Sequence, residues 1–407
     1  MKKKILCLSL IAAMNPTAFA SDTSEEVALL RQQVQLLTER LNKLEAQTKA
    51  SQEQQKAITE KVKKATEEQT TSKSWADRIS YKADFRDRFE YIDQKGKEAR
   101  TRNRIRLRAQ VDMQVNDKLG FTLGTSIGGD DPVSANQTLD GAFSTKDLRA
   151  DLAYFNYKFN NNFTLFGGKM KSQLYKSKNN QILWDNDLNP EGFSLNYDND
   201  NFQARMIGYA VEERSSADDT LLFGGQLMYT FDVSERAALH AGVGYYDYSK
   251  LKGNTPLYDG NPRGNTLDAN GKIANDFNIT EVFLDMKSEL AGRPLSVYTS
   301  YYENNQADDF NTAFSVGFIY GKVSDPGSWD FGLAYNDVEA DAVLGVFNDS
   351  NFGGGITDTK GLILRTAYGL PHNMKLGLNY IDSEIDQSQL TQTEYDRLQL
   401  DLSFKFK

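Results

Sequence analysis

Two hydrophobic periods divide the chain. Over residues 25–70 apolar side chains fall at Val27, Leu30, Val34, Leu37, Leu41 and Leu44, alternately three and four apart. After a polar middle at Thr48, Ser51 and Gln55 the register resumes at Ile58, Val62 and Ala65, and no Gly or Pro interrupts it. A seven-residue repeat sustained over six heptads predicts a coiled coil. So narrow a seam needs a partner helix; the alternative is a single amphipathic helix lying on the rest of its own chain. The rod would reach roughly 70 Å at 1.5 Å per residue.

From Arg78 onward the period is two. In Arg104–Val115 the residues Ile105, Leu107, Ala109, Val111, Met113 and Val115 face one way. Arg104, Arg106, Arg108, Gln110, Asp112 and Gln114 face the other. Similar alternation marks 79–91, 153–159, 202–210, 221–231, 295–301, 329–335, 374–380 and 398–406, with weaker segments near 119–127, 163–171, 192–197, 236–248, 277–290, 312–321 and 360–370. Together they predict sixteen strands.

Long and short connections alternate without exception. Short ones fall near 116–118, 160–162, 198–201, 232–235, 291–294, 322–328 and 371–373. Long polar ones fall at 93–100, 128–147, 172–191, 212–219, 249–276, 303–311, 339–359 and 383–393. Transmembrane β-barrels have this asymmetry, with short periplasmic turns and longer extracellular loops. Charge assigns the faces: a cation on the lipid side at the midplane costs about 2–4 kcal/mol. The arginine face therefore lines water. Sixteen strands leave room for an aqueous lumen. Aromatics at strand ends, such as Tyr91, Tyr157, Tyr197, Tyr229, Trp329 and Tyr380, suit the girdles at the two interfaces.

Composition sharpens this picture. Residues 1–20 have a basic start, an apolar Ile5–Met14 stretch and an Ala18-Phe19-Ala20 end, the pattern of a secretory signal peptide. Its removal takes the single Cys7 and moves the formal charge from −9 to −12, through loss of Lys2, Lys3 and Lys4. A thiol enzyme, a disulfide scaffold and a Cys-zinc site are then excluded. The mean hydropathy of −0.57, with no second long apolar run, excludes a spanning helix. Three domains follow: a signal peptide at 1–20, a periplasmic coiled coil at 21–73 and an outer-membrane barrel at 74–407. The fold class is all-β, a sixteen-stranded antiparallel transmembrane barrel preceded by an α-helical coiled coil.

The whole mature chain resembles the general porins of Gram-negative bacteria, in particular the "Putative porin" family with an N-terminal coiled coil. The likeness rests on the leader, the sixteen-strand pattern, the arginine strand, and Gly168-Lys-Met-Lys171 leading into Trp184-Asp-Asn-Asp-Leu-Asn-Pro-Glu-Gly192. More distantly it is similar to the phosphate-selective porins, which share a Gly-Lys segment before the third loop. The last strand ends Phe404-Lys-Phe-Lys407, where the family habit is a terminal aromatic. The resemblance implies a trimer and an inward-folded third long loop.

The candidate chemistry is basic. Arg86 and Arg88 share one face of the first strand, and Arg104, Arg106 and Arg108 one face of the second. Hairpin pairing sets them side by side as a cationic ladder that steers anions. The bland alternative pairs them with Asp84, Glu90 and Asp112. In the third long loop Asp185, Asp187 and Glu191 would face that wall across a constriction; the competing reading is a solvated outer loop. His240 reads as a luminal polar residue rather than a catalyst. The acidic pairs at 130–131, 218–219 and 308–309 read as loop tips.

The resulting expectation is a non-enzymatic diffusion porin for small hydrophilic solutes and ions, without cofactor or metal. Alternatives are an anion- or phosphate-selective channel and a coiled-coil tether to peptidoglycan anchored by the barrel. Expected partners are outer-membrane lipid, lipopolysaccharide and further copies of the chain; nucleic acid is not one.

Overall fold

The computed structural model describes residues 23–71, 75–178, 180–386, 388 and 392–406. The expected leader lies outside them. The chain divides into two compact units at Ser74/Trp75. The first is one helix, α1 (Thr23–Thr71), of 49 residues. Along its expected seam Val34, Leu37, Leu41, Leu44 and Ile58 are 58–62% exposed. Val27, Leu30 and Val62 lie outside the residues whose side chains are described. Thr38, Thr48 and Thr59 return their hydroxyls to the carbonyl four residues back at 2.7 Å, which keeps these polar residues compatible with a helix.

The second unit is a closed antiparallel barrel. Its strands are β1 (Ile79–Gln94), β2 (Arg100–Gln114), β3 (Leu119–Ile127), β4 (Gln137–Thr138), β5 (Leu148–Lys158), β6 (Phe163–Lys169), β7 (Glu191–Asp198), β8 (Phe202–Glu212), β9 (Thr220–Ser234), β10 (Ala237–Tyr248), β11 (Phe277–Leu290), β12 (Arg293–Asn304), β13 (Thr312–Gly321), β14 (Trp329–Val338), β15 (Thr359–Leu370), β16 (Met374–Ile385) and β17 (Thr393–Phe406). The two-residue β4 is a patch of the second long loop laid against Arg104 and Ile105 of β2. The other sixteen form the wall, and β1 closes on β17 from Ala83↔Phe406 to Gln94↔Tyr395. Closure leaves no open edge.

Alternation sets the outward face. Leu123, Met206, Leu227, Val243, Val282, Val297 and Val316 are exposed there. Aromatic pairs girdle the turn end: Phe163–Tyr197 at 4.8 Å, Tyr229–Phe231 at 4.7 Å and Tyr320–Trp329 at 5.8 Å between centroids. Arg293 lies over the Trp329 ring at 4.5 Å, where the band meets water.

The inward face is not uniformly polar. The loops at 170–190, 249–276 and 339–358 fold into the barrel and bring Ile182, Leu183, Trp184, Leu251, Ile273, Val343 and Phe352 into one core with the wall residues Tyr209, Tyr246, Tyr248, Ile279 and Tyr302. Along β8–β15 both faces are therefore apolar toward the loop end, because the loops supply what the inner face packs against. Glycine permits the approach. A Cβ on Gly168, at φ 121°, would stand 2.2 Å from the Ala153 carbonyl, and one on Gly345 2.1 Å from that of Arg263.

The arginine wall and the inward loop

The remaining inner face, on β17, β1 and β2, is charged. The register sets Arg86 opposite Arg106, Arg88 opposite Arg104 and Asp84 opposite Arg108, so the five expected arginines do share one stretch of wall. Like charges directly opposite destabilise a sheet, and carboxylates offset them here. Asp401 of β17, opposite Arg88, takes a bidentate pair from it at 2.6 and 2.7 Å. Asp401 also lies 3.8 Å from Arg86. Glu90, fully buried, meets Arg102 at 2.7 Å, Arg397 at 2.7 Å, Arg88 at 3.6 Å and Arg104 at 3.8 Å. Arg106 pairs with Asp84 at 2.8 Å. Asp112 is not part of this set; it pairs with Lys82 at 2.9 Å.

The loop at 170–190 reaches this wall through Asp187. Its Oδ1 lies 3.0 Å from Arg108 and 3.4 Å from Arg106, and Arg108 also stands 3.7 Å from Asp151. Burial pushes the Asp187 carboxyl up, but Arg108, Arg106 and Arg86 outweigh it and hold the group down at about 2. Seven guanidinium groups thus face five carboxylates, which leaves a surplus of two positive charges. The Nε–H groups of Arg86, Arg104, Arg106, Arg108 and Arg397 are buried and have no protein acceptor among the described residues.

Asp185, two residues away, does a different job. It accepts the backbone N–H of Asp187 and of Ser350, each at 2.8 Å, and so staples the loop to 339–358. Burial, with Asp187 and Asp349 close by, pushes its carboxyl up to about 7. The staple is reinforced where Trp184 donates its indole N–H to Tyr248 Oη at 2.9 Å. Glu191 joins neither group. It opens β7, faces outward by register with Lys169, and pairs with Lys169 Nζ at 2.9 Å. The strand begins one residue earlier than the loop boundary read from the sequence, and that parity turns Glu191 away from the lumen.

Three participants escaped the sequence reading: Arg102, Arg397 with Asp401, and the loop at 339–358. Asn351 of that loop accepts from Gln399 at 2.8 Å and from Arg88 at 3.4 Å. The apolar run Ala342–Phe347 inside an acidic connection is the signal that it packs inward. His240 faces inward, 2.9 Å from Thr230 Oγ1, its ring tilted 38° to that of Tyr175 at 5.5 Å.

Four cavities succeed one another along β2. The loop-end cavity, about 630 Å³, is lined by Arg100, Arg102 and Arg104. The next, about 350 Å³, lies between Arg86, Arg88 and Arg106 and the loop residues Asn186 and Asp187. A third, about 410 Å³, takes Arg108 and Gln110, and the turn-end cavity, about 420 Å³, takes Gln110, Asp112 and Gln114. The inward residues of one strand, taken in order, open on one space after another.

Comparison with known proteins agrees with this architecture. The model of the family described as "Putative porin" matches residues 91–270 and 270–406. The high-pH structure of OprB from Pseudomonas putida is 11% identical with a TM-score of 0.56, over 81% of this chain and 94% of that one. OmpF of Salmonella typhi, in complex with daunomycin, is 11% identical with a TM-score of 0.50, over 81% of this chain and 97% of that one. At such identity the likeness is one of fold. No curated protein matches the chain in sequence. With its closed barrel and a family match across most of its length, the chain belongs to the "Putative porin" family.

Proposed function

We propose that the chain is an outer-membrane porin in which small hydrophilic solutes and ions diffuse along β2, through an aperture between the arginine wall and the loop at 170–190. One observation carries this reading: the cavities follow β2, and the second of them is lined by Arg106 and by Asp187, which is ion-paired to the wall. Charges of both signs on the lining of that cavity set a local field that orients polar solutes. Arg86, Arg88 and Arg104 extend the field toward the loop end. The test is planar-bilayer conductance with reversal potentials in a salt gradient. Arg106→Glu with Arg108→Glu changes the wall by four charges and should raise cation preference more than tenfold; an unchanged potential would remove these residues from the passage.

The surplus of two positive charges favours a second reading, an anion-selective channel, and the wild-type reversal potential decides between them. The exposed seam of α1 supports a coiled coil between copies. Both barrel termini lie at the short-turn end, the periplasmic side in such barrels, and this supports a periplasmic α1. A homotrimer accommodates barrel and rod together. Deleting 22–73 would abolish envelope attachment if the helix binds peptidoglycan, and would leave conductance intact.

A further inference from the structure

The surplus of two positive charges is not spread evenly along the arginine wall. Arg86, Arg88, Arg106 and Arg108 are matched by Asp84, Asp151, Asp187 and Asp401. Toward the loop end, Arg102, Arg104 and Arg397 stand around the single carboxylate of Glu90. Arg100 carries the inward parity of β2 one step further. Among the described residues no carboxylate pairs with it. The register sets Ile92 of β1 between Arg100 on β2 and Arg397 on β17. All four arginines line the loop-end cavity of about 630 Å³. Lys97 and Glu98 offset each other at its exposed tip, and Arg263 pairs with Asp259 at 2.7 Å. Asp131 and Asp386 are the remaining acids of the lining.

Guanidinium groups that approach from both sides of β1 suit a ligand with acceptors in more than one plane. A carboxylate has two oxygens in a single plane. A phosphomonoester has three around a tetrahedral centre and carries about −1.5 to −2 charges at pH 7. Elsewhere the lining offers partners for hydroxyl groups: the carboxylates of Asp131 and Asp386 and the hydroxyl of Ser134. Gly353, Gly354 and Gly355, at φ 56°, 81° and 87°, turn only backbone toward the space. A Cβ on Gly353 would stand 2.4 Å from Thr359 Oγ1, so this part of the roof stays free of side chains. The volume falls in the range of about 300–1,000 Å³ that small-molecule sites occupy. We infer that the loop-end cavity is a binding site for a hydroxylated phosphomonoester, in chemical class a sugar phosphate, held before it reaches the aperture. Lipid phosphates stay outside the wall, so the phosphoryl group belongs to a solute. The inference rests on the porin reading and adds to it a capture site.

Titration calorimetry on the purified full chain in detergent tests it, with glucose 6-phosphate as the probe. One saturable site per chain is expected, with inorganic phosphate and glucuronate each about tenfold weaker and glucose silent. Equal affinity for inorganic phosphate would overturn the sugar assignment, and tighter binding of glucuronate the phosphoryl assignment. Arg100 is exposed and unpaired, so its replacement leaves the barrel folded, which heat-modifiability on gels checks. Arg100→Gln should weaken glucose 6-phosphate about tenfold, through loss of one charge-assisted contact. Unchanged affinity in that variant would move the site away from this wall. In planar bilayers the probe should also reduce the wild-type current at the concentrations that saturate the site. A wild-type chain that does not conduct overturns the porin reading. A conducting chain that shows no calorimetric binding overturns the site alone.

Discussion

Replacing Asp187 by asparagine removes one charge from the aperture and keeps the side chain's shape. Arg106 retains Asp84 at 2.8 Å and Arg108 retains Asp151 at 3.7 Å, so neither arginine is left unpaired. The Asp187 backbone N–H still binds Asp185, which holds the loop in place. An ion passing about 7 Å from the carboxylate, in water, exchanges about 0.6 kcal/mol with it. At 0.1 M salt a Debye length of about 10 Å reduces this to about 0.3 kcal/mol, roughly half of RT. Anions gain and cations lose by that amount, so the anion-to-cation permeability ratio should rise about threefold. At 1 M salt, with a Debye length of about 3 Å, the effect should nearly vanish. Reversal potentials at the two ionic strengths measure it. No change at 0.1 M, or a shift that survives at 1 M, would refute the electrostatic account of the aperture.

Trp184→Ala removes a buried side chain that pins the loop to Tyr248. It should cost about 3–5 kcal/mol of packing and raise single-channel conductance as the loop loosens, with conductance histograms as the readout. The Asp185 carboxyl, pushed up to about 7 by burial, favours the protonated form in the folded state. The staple should therefore be strongest at low pH, weaken as pH rises from the ordinary carboxylate range through about 7, and stay level above it. Heat-modifiability midpoints on non-boiled gels should follow that course, and Asp185→Asn should flatten it. Leu37→Asp with Leu44→Asp should abolish the rod's contribution to helical circular dichroism while the folded barrel band persists; loss of that band would make the helix a requirement for assembly.

Much of this fold was legible because alternation is a local property. The arginines of β1 and β2 declared their face through Ile105, Leu107 and Ala109 on the other, and their succession along the chain made them neighbours in an antiparallel pair. Arg102 continued the same parity and needed only a longer reading of β2. Arg397 and Asp401 were different, since their place beside Arg88 and Glu90 exists only once the barrel closes. The burial of Tyr246, Tyr248 and Ile279 on the inner face was also illegible: an inward apolar face contradicts a water-filled lumen until the covering loops are known. Asp185 and Asp187 show the limit of charge counting. Two acids in one loop turn are separated by backbone geometry into a staple and a counterion.

The closing seam has a further consequence, for the order in which the protein becomes functional. Arg88 and Asp401 are 313 residues apart, and Glu90 binds Arg397 over a separation of 307. Joining chain ends this distant costs a flexible polymer about 5 kcal/mol in closure entropy, beyond a constant. The ion pairs across the seam repay part of that in the same event that completes the lumen wall. Until β1 meets β17, Asp401 lacks the geometry that makes it a counterion, Glu90 meets only the arginines of its own hairpin, and that hairpin faces no finished passage. A nascent barrel therefore holds a patch of positive charge that gains the Asp401 counterion only at the last step. Maturation and the acquisition of a selective conduit are one transition, and a mutation at the seam would be read first as slow insertion into the membrane and only afterwards as altered permeability.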